Sequence, residues 1–105
     1  MYDMRDRIAR HFKVTLPNGL GLEIEPPKMK VLRKLMKLSK AANSENFGEQ
    51  EINDLTEAIA IALSKNKQKR KITAAEIEDM LDLDEMIDLL MVYFDWVEEI
   101  TSSKN

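Results

Sequence analysis

The N-terminal part of the chain alternates apolar and polar residues on both sides of a turn. The alternation covers Phe12–Leu16 and Leu20–Glu25, as in strands that bury one face. Between them Pro17-Asn18-Gly19 supplies turn chemistry, because Asn-Gly readily takes the positive φ values of tight hairpins. Pro26-Pro27 ends the second strand. The pattern predicts a β-hairpin that packs against helices or a partner's sheet, since an isolated two-stranded ribbon is marginal in water.

Four segments with helical periodicity follow the hairpin. They cover residues 28–42, about 49–66, about 74–81 and about 83–101. The second segment is apolar nearly all round between Ala58 and Leu63, which favours a central position in the fold. The polar, basic run 64–71 after it fits a basic last turn and an exposed linker.

Two local signatures mark the starts of the last two helices. Thr73 and Glu76 have the spacing of a capping box, and Ile72 and Ile77 flank that box as a hydrophobic staple. The pair Asp82 and Glu85 repeats the cap spacing. These signals predict a bent pair of helices rather than one continuous rod.

The length of 105 residues suits one domain. We therefore predict a mainly α fold, with four helices and a small N-terminal β-hairpin in a single domain. Residues 1–27 would form an N-terminal arm and hairpin, residues 28–101 a helical body, and residues 102–105 a frayed tail. No apolar run approaches the roughly 18 residues that cross a bilayer.

The last helix has two apolar stripes, more than the core of one small domain readily covers. The sequence leaves open which stripe is core, and the first of them consists of Leu83, Met86, Ile87, Leu90, Met91, Phe94 and Val97. A second stripe, displaced around the helix, is predicted as a protein-interaction surface: Leu89, Val92, Tyr93, Trp96 and Ile100. Trp and Tyr are enriched at the energetic centres of interfaces, and seven methionines add adaptable apolar side chains.

Charge is divided sharply along the chain. Residues 1–71 hold 15 Lys and Arg against nine Asp and Glu, whereas residues 72–105 hold one Lys against ten acids. The first part therefore carries a formal charge of +6 and the second −9. Internal neutralisation, head-to-tail self-association or docking onto a charged partner could each follow.

The residues offer little for catalysis or for metal binding. There is no cysteine and a single histidine, His11, so thiolate chemistry and most general-base arrangements are excluded. The acids around Asp82 lack the central glycine of a calcium loop, and they fit helix capping better. We predict no enzyme activity, no catalytic residue, no metal and no cofactor.

The first helix carries a basic face without any acid. Its members are Lys30, Arg33, Lys34, Lys37 and Lys40. A small phage or bacterial regulator that binds nucleic acid through helix 28–42 is the alternative function, because these cations could neutralise phosphates. The pI of 5.2 and the absence of interleaved aromatic residues make nucleic acid an unlikely partner.

The layout resembles the small tail assembly chaperones of long-tailed bacteriophages. The likeness lies in Glu25-Pro26-Pro27-Lys28-Met29-Lys30, in the basic helix after it, and above all in Ile72-Thr73-Ala74-Ala75-Glu76-Ile77-Glu78-Asp79-Met80-Leu81-Asp82. The segment Leu83-Asp84-Glu85-Met86-Ile87-Asp88-Leu89-Leu90 continues it. In that family a threonine-capped short helix, an acidic turn and an amphipathic last helix recur near the C-terminus.

The resemblance implies a non-enzymatic factor for tail morphogenesis. Such chaperones bind the tape measure protein and help to recruit tail tube subunits around it. They act in the host bacterial cytoplasm and are absent from the mature virion. This chain would correspond to the short form, which many phages accompany with a frameshifted longer form. We expect self-association as well, and no membrane partner.

Overall fold

The order of elements is a hairpin followed by helices. The computed structural model describes residues 11–43 and 48–102. Within these ranges the chain forms β1 (Phe12–Thr15), β2 (Gly21–Ile24), α1 (Met29–Ser39), α2 (Glu49–Ser64), α3 (Ala74–Met80) and α4 (Leu83–Ser102). A 3-10 turn over Lys40–Asn43 follows α1. The mainly α fold with an N-terminal hairpin is confirmed, while residues 1–10, 44–47 and 103–105 of the predicted arm, loop and tail lie outside the described ranges.

The hairpin forms where the alternation predicted it. The strands β1 and β2 pair antiparallel, with Phe12 opposite Ile24 and Val14 opposite Leu22 on the apolar face. Gly19 adopts a φ of +90°, and its N–H donates to the Leu16 carbonyl at 2.8 Å. Glycine suits this position because it takes positive φ without steric cost.

Helix α2 is the centre of the fold, as its apolar circumference predicted. Helices α1, α3 and α4 and strand β2 all pack against it. Its fully covered apolar residues are Leu55, Ala58, Ile59, Ala62 and Leu63. Side chains on several sides of α2 are therefore removed from water, which is the main favourable contribution to folding.

The segment after α2 is exposed over residues 67–71, as its charge predicted, but its first residues also pair with the hairpin. The Glu25 N–H donates to the Lys65 carbonyl at 2.9 Å, and the Lys67 N–H donates to the Glu23 carbonyl at 2.9 Å. Asn66 between them forms a β-bridge with Ile24 and is only 2 % exposed. The charge pattern did not predict this pairing, because lysine side chains can extend into water while their backbone pairs with the edge of β2.

The buried side chain of Asn66 organises this connection. Its amide nitrogen donates to the carbonyls of Leu63 and Arg70, both at 2.7 Å, and its amide oxygen accepts the Arg70 N–H at 2.9 Å. Nearby, the Ser64 hydroxyl donates to the Ile72 carbonyl at 3.1 Å and accepts the Ile72 N–H at 3.0 Å. The chain can therefore turn from α2 towards α3 with its buried polar groups satisfied.

The start of α3 confirms the capping box. The Thr73 hydroxyl accepts the Glu76 N–H at 3.2 Å, and the Glu76 carboxylate accepts the Thr73 N–H at 3.1 Å. Arg70 also donates to Glu76 at 3.0 Å. Ile72 and Ile77, the residues of the predicted staple, are both buried in the core.

Replacing Asn66 by alanine should destabilise the protein by about 3 kcal/mol, since the buried Leu63 carbonyl and the partly buried N–H and carbonyl of Arg70 lose their side-chain partner. Urea unfolding followed by circular dichroism measures this change. The exposed Gln68→Ala variant, which loses hydrogen bonds to Glu23, is the control and should cost about 1 kcal/mol or less. Equal losses in the two variants would show that Asn66 does not have this organising role.

The free energy of unfolding should depend on pH through Glu76. Hydrogen bonds from Thr73, together with Arg70, lower the pKa of the Glu76 carboxyl below its ordinary value of 4.5. A carboxyl with a lowered folded pKa stabilises the fold above its unfolded pKa, and this contribution is lost as the pH falls through the folded value. The advantage of the natural protein over Glu76→Gln should therefore be constant near neutral pH and shrink below about pH 4.5.

Urea unfolding of both proteins at several pH values measures this advantage. Glu78→Gln removes the same charge from an exposed position on α3 and is the matched control. An advantage of the natural protein over Glu76→Gln that grows as the solution is acidified would contradict the predicted sign.

Candidate protein-interaction surface

Helix α4 begins at a defined residue because Asp82 caps it. The Asp82 carboxylate accepts the Glu85 N–H at 2.9 Å, and the Glu85 carboxylate accepts the Asp82 N–H at 2.9 Å. Leu81 just before it is extended, with φ −118° and ψ 138°. The predicted bend between α3 and α4 is confirmed, and α4 leaves it as a separate helix of 20 residues.

The buried side of α4 lies between the two predicted stripes. Met86, Leu90, Tyr93 and Val97 are its buried residues. The Thr56 hydroxyl of α2 approaches the Met86 sulfur at 3.7 Å. The core therefore contains residues from both predicted stripes, because α2 packs against the boundary between them.

One assignment on α4 is consequently corrected. Tyr93, predicted on the interaction stripe, is 2 % exposed and belongs to the core. Burial raises the pKa of its hydroxyl, because a phenolate is poorly solvated there. Met91, on the first stripe, is 60 % exposed, so neither stripe is wholly core.

An aromatic cluster joins the hairpin to α4. Phe12 of β1 stacks on Trp96, with ring centroids 5.4 Å apart and an interplanar angle of 23°. It also meets Tyr93 edge-on at 6.3 Å. Tyr93 in turn contacts Phe94 at 5.6 Å and Trp96 at 5.8 Å. Such ring pairs stabilise a structure by about 0.5–1.5 kcal/mol beyond the area that they bury.

Phe12 is the residue that sequence reasoning missed at this surface. Its signal was present, since the alternation places Phe12 on the apolar face of the hairpin. That pattern indicated that the apolar face packs against another element, but it did not identify α4 as that element. Because Phe12 covers part of Trp96, the extent of exposed surface on α4 depends on the hairpin.

The remaining predicted stripe residues form a partly exposed surface. Val92 is 52 % exposed, while Leu89, Trp96 and Ile100 are half-buried. We call these four residues the Val92 surface. Helical geometry places Val92 and Met91 on opposite borders of the solvent face of α4, with the exposed acids Asp84, Asp88, Asp95 and Glu99 between them.

The five predicted cations share the outer side of α1. Lys30, Arg33, Lys34, Lys37 and Lys40 are all exposed, and we call them the basic face. The Lys34 ammonium pairs with the Glu57 carboxylate of α2 at 3.3 Å. The basic face and the Val92 surface thus belong to two helices that each pack against α2.

The described residues contain neither a candidate metal site nor a helix that could span a membrane. No group of three or more His, Cys, Asp or Glu among them comes together in a way that could hold a metal ion. No helix in the ranges that the structure describes is long and apolar enough to cross a membrane. His11, the single histidine, is half-buried beside the start of β1.

No protein-family model, curated protein or solved structure matches this chain. Function therefore has to be inferred from the chain's own residues. The Val92 surface and the basic face are the two surfaces on which that inference depends.

The two neighbouring residues Tyr93 and Val92 should respond very differently to substitution. Tyr93→Ala should destabilise the protein by about 3–5 kcal/mol, because it leaves a cavity in the core and removes aromatic contacts. Val92→Asp should cost about 1 kcal/mol or less, because its side chain is half in solvent and the added carboxylate only meets the exposed Asp88 four residues away. Urea unfolding measures both values, and comparable losses would mean that Val92 is packed within the monomer.

Proposed function

We propose that this protein is a non-enzymatic assembly chaperone that binds its client through the Val92 surface. The observation that carries this proposal is the position of Val92, 52 % exposed beside the half-buried side chains of Leu89, Trp96 and Ile100. A half-covered tryptophan next to exposed aliphatic atoms provides the apolar contact on which binding energy concentrates. Removing this area from water on binding would be favourable.

The proposed client is the tape measure protein of a long-tailed phage, and the proposed outcome is recruitment of tail tube subunits during tail morphogenesis. The resemblance in the 72–90 segment supports this choice. A tape measure protein is a long, largely helical chain whose apolar stripes would aggregate if they stayed exposed. Several copies of the chaperone, self-associated along the client, would cover those stripes in the host cytoplasm.

The size of the Val92 surface suits a chaperone that is later displaced. Four residues contribute to it, and three of them are already partly covered within the fold. Each copy therefore gains only a modest area of contact, and affinity along a long client would come from many copies. Assembling tube subunits could then replace the copies one after another, which leaves none in the mature virion.

Co-expression with the tape measure and tail tube proteins of the same genome tests this function. The natural chain should keep the tape measure protein soluble and co-purify with it. Val92→Asp should reduce recovery of the client about tenfold, since a buried unpaired carboxylate opposes the contact. Native mass measurement of the purified complex gives the number of copies bound.

Met91→Asp is the matched control, because it adds the same charge at a neighbouring exposed position on the opposite border of the solvent face. This variant should retain the client. A soluble client in the absence of the chain would contradict the chaperone function. Loss of the client with both variants would contradict the assignment to the Val92 surface.

A further inference from the structure

The basic face of α1 is unfavourable within the isolated fold. Cations stand four apart at Lys30 and Lys34 and again at Arg33 and Lys37, and like charges at this spacing destabilise a helix. The first turn of α1 contains no acid that would complement the positive end of the helix dipole. The local energetics of helix α1 therefore give no reason for this concentration of charge.

Most of this charge is not neutralised within the described part of the chain. Lys34 has the Glu57 carboxylate at 3.3 Å. No carboxylate among the described residues pairs with Lys30, Arg33, Lys37 or Lys40. Of these four cations, Lys30, Arg33 and Lys37 lie on α1 and Lys40 begins the 3-10 turn after it. Together they form an exposed positive ridge about 15 Å long.

Apolar atoms border this ridge on both sides. Met29 and Met36, at 62 % and 55 % exposure, lie seven residues apart and therefore on one side of the helix. On the other side, a shallow depression of about 600 Å³ is lined by Leu38 together with Lys30, Arg33, Lys34 and Lys37. The arrangement offers charged contacts along its centre and apolar contacts along its edges.

We propose that the outer face of α1 docks an acidic amphipathic helix of a partner protein. Carboxylates spaced three and four residues apart on that helix would meet the ridge, and its flanking aliphatic side chains would meet Met29 and Met36. Charge complementarity requires a negatively charged partner. The methionines favour a protein over nucleic acid, because their thioethers offer adaptable apolar contact. This surface is separate from the Val92 surface, so the inference does not depend on the proposed function.

Fluorescence anisotropy with the full chain tests this docking. The probe is a labelled synthetic helix of about 20 residues, with Glu spaced three and four apart on one face and Leu on both sides of them. The same peptide with Gln in place of Glu is the matched probe. The Glu peptide should bind, the Gln peptide should bind at least about tenfold more weakly, and added salt should weaken the Glu peptide's binding.

Variants of the chain then locate the contact. Arg33→Glu with Lys37→Glu should weaken binding of the Glu peptide at least about tenfold. The control double variant, Lys67→Glu with Lys71→Glu, makes the same charge change at exposed positions and should change binding less than about twofold. Met29→Ser with Met36→Ser should weaken binding about fivefold through lost apolar contact. If circular dichroism shows that the charge reversal disturbs folding, the double variant Arg33→Gln with Lys37→Gln is used in its place.

Several results would overturn the inference. These are failure of the Glu peptide to bind, equal binding of the Gln peptide, or equal loss in the control double variant. Preferential binding of duplex DNA, insensitive to the methionine change, would assign the face to nucleic acid instead. Self-association in sedimentation that is lost with Arg33→Glu and Lys37→Glu would make a second copy the occupant.

Discussion

The arrangement of the fold depends on one buried polar side chain, Asn66. Its amide holds the carbonyl that ends α2 and both backbone groups of Arg70. This keeps residues 65–67 in the extended path that pairs with β2. An apolar side chain at position 66 would bury more hydrocarbon but would leave buried carbonyls and an N–H without partners. The hairpin is therefore joined to the helices by backbone pairing as well as by apolar contact.

That connection determines what α4 presents to solvent. With β2 attached to the end of α2, β1 lies on the far side of the hairpin and carries Phe12 to Trp96 and Tyr93. Tyr93 is then enclosed, Trp96 is half-covered and Val92 stays outside. The candidate interaction surface is thus a consequence of three separate elements: the cap at Asp82 that starts α4, the α2 side chains beneath it, and the hairpin beside it. A weaker attachment of the hairpin would uncover more of Trp96.

Local signals predicted the helices and strands well, whereas the side of α4 that is buried could be identified only from the tertiary structure. The caps at Thr73 and Asp82 and the turn at Gly19 act within four residues, so their spacing in the sequence is sufficient to recognise them. Periodicity on α4 showed that more than half of its circumference is apolar, but such a helix can bury any of several arcs. For this reason Tyr93 was assigned to the wrong arc, and the choice of the core stripe was left open. Asn66 was missed although its side-chain partners, Leu63 and Arg70, lie within four residues, because its burial depends on the pairing of residues 65–67 with the distant strand β2.

Within the ranges that the structure describes, the basic face of α1 and the acids of α4 lie on separate helices. Lys34 pairs with α2 and Arg70 with α3, so neither pair joins the basic face of α1 to the acids of α4. Both helices pack on α2, and each keeps its charged side towards solvent. Ion pairs at the surface contribute little to stability, so bringing these charges together would stabilise the fold only slightly. Left apart, they create regions of opposite potential that steer the approach of charged partners and speed association at low salt. The charge division of this chain is therefore better explained by binding to charged partners than by stabilisation of its fold.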